Sequence, residues 1–400
     1  MPIHVPHTDN VITANLTGAA WVISPRYGES YSFDRAGRLL SLFVDERSYQ
    51  RTLYHRVLER NERSGNGLRR RELSAPERDT LLARTFESLH KLATILPDLN
   101  LPVRDREQFA QVLDTILAFG PERLAADGDL FKALYQPISV LPPDQYLALV
   151  LQATEGCSWN RCTFCGLYRD RSFRIHSPES FRAHCLAVRD FYAAGISLRR
   201  GIFLADANAL IIPHPRLMAL VTIAQEYFGQ PDRPTSIYSF ISAFDVNRKS
   251  AAEWAELHRM GLERAYIGLE TGDDVLLRFL NKPGSVQDAI DAVHALRAGG
   301  VAVGVILMAG IGGDRFAASH MNQSVEAIRQ MDLGPDDLVY ISHYVSVPGT
   351  EYDYQATVAG IRALTPEETA AQMRTIQAAV RQIVPPQTKV SPYRVDGFAL

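Results

Sequence analysis

From residue 146 onward the chain repeats one unit, a short apolar run rich in β-branched or aromatic residues followed by a capped helical pattern. That repeat constrains the fold more than any other feature. The runs expected as strands cover 147–153, 201–205, 236–241, 264–269, 301–307 and 338–345, each too apolar for a sheet with one face in water. The helices between them are clearly punctuated. Ser177-Pro178-Glu179 opens one that stops at Gly195, Ser285 with Asp288 opens another that ends at Gly299-Gly300, and Thr365-Pro366-Glu367-Glu368 is a capping box with proline in its first turn. Successive βα units joined by right-handed crossovers give a parallel sheet with helices outside. Six such units are two short of a closed eight-stranded barrel.

The loops at the C-terminal ends of parallel strands converge on one mouth, and the loop after the first strand carries three of the chain's four cysteines, Cys157, Cys162 and Cys165. A lone thiol packs as a small apolar group, but three thiolates held close together repel unless a cation or an iron-sulfur cluster neutralises them. The loop alone fits two readings. One is a cluster with a coordination position left open; the other is a structural zinc knuckle completed by His176 or Cys185. Cys185 shares a helical face with Phe181, Val188 and Tyr192, which reads as buried packing.

The words Glu-Gly-Cys-Ser-Trp-Asn-Arg-Cys-Thr-Phe-Cys, with C-x4-C-x2-C spacing, resemble the cluster loop of the radical S-adenosylmethionine (SAM) superfamily, whose usual spacing is C-x3-C-x2-C; they look like an uncharacterised branch. The resemblance implies an α/β fold, a partial six-stranded (β/α) barrel, preceded here by an N-terminal α+β domain. It implies that Cys157, Cys162 and Cys165 hold three irons of a four-iron, four-sulfur (4Fe-4S) cluster while SAM chelates the fourth. One electron then cleaves SAM to methionine and a 5′-deoxyadenosyl radical.

The resemblance extends along the strand ends. Asp206 and Asn208 stand where the family holds the SAM amine, and Gly268-Leu269-Glu270-Thr271 resembles the segment whose glutamate binds the SAM ribose. The run Val303 to Gly313 resembles the glycine-containing strand that lies against adenine, with Phe164, Tyr168, Ile306 and Met308 as further apolar surface there. Lys282 falls in a lysine-glycine turn common in the family, and Ser242 and His343 are candidates to face substrate. A carboxylate that ends an apolar strand must find donors, so a diol partner for Glu270 is physically sensible, and a nearby cation is the alternative. No second cysteine cluster follows residue 185, so no auxiliary cluster is expected.

Composition sets the remaining expectations. Four hundred residues, 46% hydrophobic and 22% charged, allow one large domain and a smaller one, read as 1–145, 146–384 and a tail over 385–400. A net charge of −3 gives no bulk attraction to nucleic acid or anionic lipid, which favours a small-molecule substrate over tRNA or a peptide. No run of 18 apolar residues and no leader pattern is present, so the expected setting is the cytoplasm, with an electron donor such as flavodoxin or ferredoxin. In the N-terminal part, a small antiparallel ribbon is expected over 20–44 and helices near 47–62, 76–95 and 105–118. Residues 60–72, with Arg63, Arg69, Arg70 and Arg71 around Gly65 and Gly67, read as a solvated basic loop.

Overall fold

A computed structural model describes residues 3–7, 10–64, 67–230, 232–346 and 349–393. The chain divides into two compact units, one holding residues up to 137 together with 187–199, the other holding 138–186 and the chain from 200 to its last described strand.

The N-terminal unit is an eight-stranded antiparallel meander whose strands pair in sequence order from Ile3–His7 to Gly67–Glu72. Helices Ala75–Ile95, Val103–Leu117 and Pro121–Leu134 come after it. The apolar faces of the first two, with Phe86 and Leu89 and with Phe109, Leu113 and Ile116, join Ile23, Tyr31 and Phe33 of the sheet in one core.

The helix expected at 47–62 is instead two strands, Arg47–Arg51 and Val57–Ser64. Asp45 and Glu46 both take positive φ, 50° and 61°, which turns the chain in a two-residue hairpin and commits Arg47–Arg51 to pairing with Leu39–Val44. The expected basic loop is the hairpin from Val57–Ser64 to Gly67–Glu72, and its Gly65 lies outside the described residues. Arg71 there pairs with Glu59 and Glu77.

The second unit is the parallel sheet. Its strands run in sequence order: Leu149–Gln152, Ile202–Ala205, Ile237–Phe240, Leu262–Glu270, Ala302–Ala309, Leu338–His343 and Lys389–Tyr393. Every neighbouring pair is parallel, so all six expected strands form. The seventh strand lies in what was expected to be a tail, and Pro392 is tolerated in it because an edge strand needs hydrogen bonds on one side alone.

One glycine of the sheet makes room for a large neighbouring side chain. A Cβ on Gly304 would stand 2.4 Å from the Tyr266 ring of the neighbouring strand. Below that ring, the short helical turn Pro143–Gln145 presents Asp144 to two tyrosines, accepting from Tyr266 Oη at 2.6 Å and Tyr340 Oη at 2.9 Å. Arg264 Nη1 lies 3.2 Å from the same carboxylate, which pairs a charge that burial would otherwise penalise.

Candidate functional site

The cysteine loop is pinched at its base and braced along its length. Thr154–Glu155 pairs antiparallel with Arg174–Ile175, closing a loop over 156–173. Gly156 begins it at φ 73°, and its N–H donates to Asp206 Oδ2 at 3.2 Å, tying the loop to the end of the second strand. Inside the loop the Arg169 guanidinium gathers three carbonyls: Nε donates to Cys165 O at 3.2 Å, Nη1 to Asn160 O at 2.6 Å and Nη2 to Cys162 O at 2.8 Å. The planar fork suits this task, since its donors point in fixed directions. Outside, Trp159 Nε1 donates to Asn281 O and Thr163 N to Leu280 O, both at 2.9 Å, which docks the loop on the turn after the short helix Asp274–Phe279 that follows the fourth strand.

Cys157, Cys162 and Cys165 are reduced, half-buried and line one cavity of about 230 Å³ at the C-terminal ends of the strands. Burial pushes the Cys162 thiol up to about 11 and the Cys165 thiol upward as well. These thiols therefore stay protonated at ordinary pH unless an electropositive group binds them as thiolates. Among the described residues no three His, Cys, Asp or Glu side chains are set for one metal ion; a cluster that gives each thiolate its own iron does not require such convergence. Both candidates for a fourth zinc ligand are placed elsewhere. Cys185 is fully buried, and His176 pairs through Nδ1 with Ser180 Oγ at 2.9 Å and through Nε2 with Glu155 Oε1 at 3.0 Å.

Phe164, Asn208, Glu270, Ile306 and Met308 all line the cysteine cavity, together with Tyr168 and Ser242. Ile306 and Met308 are two apart on the fifth strand and therefore share a face. Asn208 is knit in on both sides: its amide donates to Ser158 Oγ at 2.9 Å and Asp245 Oδ2 at 2.8 Å, and its Oδ1 accepts from Ser242 N at 3.0 Å. Asp206 does not line the cavity. Its carboxylate holds Gly156 and faces Arg171 at 3.7 Å, and burial pushes it up to about 7 against both of those partners. His343 is also absent from the lining.

Glu270 is held in a sparsely populated conformation, φ 66°, where the pairing with the fifth strand skips a residue. Its carboxylate turns back over Gly268, where a Cβ would stand 2.4 Å from Oε1, so any side chain two positions earlier would displace that carboxylate. Lys282, expected as a turn marker, reaches the same oxygen at 3.0 Å and lines the cavity. Burial alone would push the Lys282 ammonium down, but Glu270 and Cys162 carry it above its ordinary value. The sequence reading missed Arg169, whose task is with backbone carbonyls, and Tyr393, which the unexpected seventh strand brings to the cavity.

A family model described as the radical SAM superfamily matches residues 151–317. The chain is 25% identical over 203 residues to the hopanoid C-3 methylase of Methylococcus capsulatus, covering 50% of this chain and 35% of that protein. It is 23% identical over 215 residues to 4'-phospho-dehydrooxetanocin synthase of Priestia megaterium, covering 49% of this chain and 28% of that protein. The chain spans about a third of the length of these curated relatives. Among solved structures, the radical SAM enzyme coproporphyrinogen III oxidase from Escherichia coli aligns over 64% of this chain and 55% of that one, at 13% identity and a TM-score of 0.44. The match to the radical SAM superfamily model runs from the first parallel strand into the helix after the fifth, across the cysteine loop and Glu270.

Proposed function

We propose that the chain is a radical SAM enzyme in which Cys157, Cys162 and Cys165 hold a 4Fe-4S cluster and the neighbouring strand ends hold SAM. The observation that carries this reading is the single cavity lined by three half-buried thiols, Asn208 and the Glu270–Lys282 pair. When bound, the cluster supplies the electron that splits SAM into methionine and a 5′-deoxyadenosyl radical able to abstract hydrogen from an unactivated carbon.

This chain's own residues bind, orient and exclude water. Three cysteines leave one iron open, Arg169 holds the loop carbonyls in place, and Asp206 fixes the loop's base through Gly156. Asn208 stands by the cavity for the SAM amine, with an acceptor lone pair beyond its bond from Ser242. Glu270 accepts from the ribose hydroxyls, and Phe164, Ile306 and Met308 give adenine an apolar wall. A largely apolar lining keeps water from quenching a radical.

A small-molecule substrate is the reading for the final step, supported by relatives that are both named for small molecules. No described helix is long and apolar enough to cross a membrane, and a cytoplasmic site with a flavodoxin or ferredoxin donor suits oxygen-sensitive chemistry. Anaerobic reconstitution tests the reading. About four irons and four sulfides should load per chain, and dithionite should release 5′-deoxyadenosine and methionine in equal amounts. Each Cys→Ala variant at 157, 162 or 165 should release neither. Stoichiometric zinc without iron uptake, or SAM bound and never cleaved, overturns the proposal.

A further inference from the structure

Glu270 closes its strand in a sparsely populated backbone conformation that persists only where the surroundings over-determine it. What holds it lies on the helix Gly313–Gln330, which begins directly after the glycine-rich end of the fifth strand. Each of the three residues after Glu270 is fastened. Thr271 Oγ1 lies 2.8 Å from His320 Nδ1, Gly272 N donates to Ser324 Oγ at 2.8 Å, and Asp273 N donates to Thr271 Oγ1 at 3.1 Å. Asp273 then caps the next helix by accepting from Val275 N and Leu276 N.

His320 and Ser324 are four apart on their helix and so face the strand end together, 3.3 Å from each other. The backbones meet there without slack, since a Cβ on Gly272 would stand 2.3 Å from Gln323 O. The Thr271 hydroxyl thus takes a hydrogen bond from Asp273 N–H and shares a second with the imidazole Nδ1. Burial pushes His320 down to about 4, so the ring is neutral. Thr271, His320 and Ser324 are all fully buried, so none of these groups trades its partner for water.

We propose that His320 and Ser324 are positioning residues for SAM, clamping Thr271 and Gly272 so that Glu270 keeps the strained geometry in which its carboxylate meets the ribose. The proposal rests on the ribose role given to Glu270 above. The helix that carries the clamp also starts at the segment assigned to adenine, so one rigid element sets both nucleoside contacts.

The test compares SAM with methionine, which reaches the open iron but has no ribose. In anaerobically reconstituted holoenzyme, His320→Ala and Ser324→Ala should each weaken SAM about tenfold while leaving iron content and methionine affinity unchanged. Thr271→Ser, which keeps the hydroxyl, should hold SAM like the parent; Thr271→Val should lose it like His320→Ala. In a Glu270→Ala background, Ser324→Ala should cause no further loss, because the carboxylate it positions is gone. Should His320→Ala fail to fold, Ser324→Ala and Thr271→Val carry the comparison. Unchanged SAM affinity in folded, iron-loaded variants, or parallel weakening of SAM and methionine, overturns the clamp alone. A parent protein that loads its cluster and binds no SAM overturns the ribose reading, and the clamp with it.

Discussion

Lys282 Nζ and Glu270 Oε1 stand 3.0 Å apart on the wall of the cysteine cavity, with side chains 18% and 11% exposed. Breaking a pair this buried leaves one charge without compensation. Lys282→Met should cost about 3 kcal/mol in chemical denaturation of the cluster-free protein, and the Lys282→Met, Glu270→Gln double variant should recover most of it. Equal losses in the single and double variants would show that the pair contributes packing and no charge compensation.

Glu270→Ala should load its cluster normally and bind SAM more weakly by about 1–3 kcal/mol, because a diol loses a charged acceptor. Equilibrium dialysis of iron-loaded protein checks this. Gly268→Ala should have the same sign, since its methyl group would displace Oε1 from 2.4 Å away.

Arg169 acts on the loop and leaves the fold alone, so Arg169→Gln should melt within about 0.5 kcal/mol of the parent. Its cluster should nevertheless bleach faster in the presence of a chelator, because the carbonyls of Asn160, Cys162 and Cys165 lose their common donor. Identical bleaching rates would remove Arg169 from the account of the loop.

Acid should weaken the barrel through His184, whose Nε2 accepts from Gln152 N in the first strand at 3.1 Å and whose burial pushes it down to about 4. The folded ring is neutral, while the unfolded chain takes up a proton near pH 6.5. The associated stability is therefore complete above pH 6.5 and lost as pH falls from 6.5 to 4, by up to roughly 3 kcal/mol. His55 and His320 shift in the same direction, so the check is the difference between parent and His184→Gln: the variant should show a flatter stability curve over that interval.

The order of the parallel strands was legible because each run is apolar and each helix is punctuated, as Ser285 with Asp288 and Thr365 with Glu368 show by forming the capping boxes their spacing suggests. The seventh strand was hidden by Pro392, which reads as a break in any strand except one at an edge. The hairpin at Asp45-Glu46 was hidden because those residues take positive φ without the asparagine or glycine that usually announces it. At the site, the cysteines and Glu270 were visible as chemistry attached to residue types. Arg169 and His320 were not, because an arginine on carbonyls and a histidine on a helix acquire their tasks only when distant backbone comes to meet them.

Asp144 has a consequence for leakage. The Tyr266 ring lines the cavity, and its hydroxyl is held by Asp144 Oδ2 at 2.6 Å and by Gln145 Nε2 at 3.0 Å, so the turn Pro143–Gln145 anchors one wall of that space. Asp144→Ala would take a shared acceptor from Tyr266, Tyr340 and Arg264 together and loosen that wall. On the function proposed above, a looser wall lets water reach the radical, so the variant should release more 5′-deoxyadenosine per product than the parent, and counting both checks it.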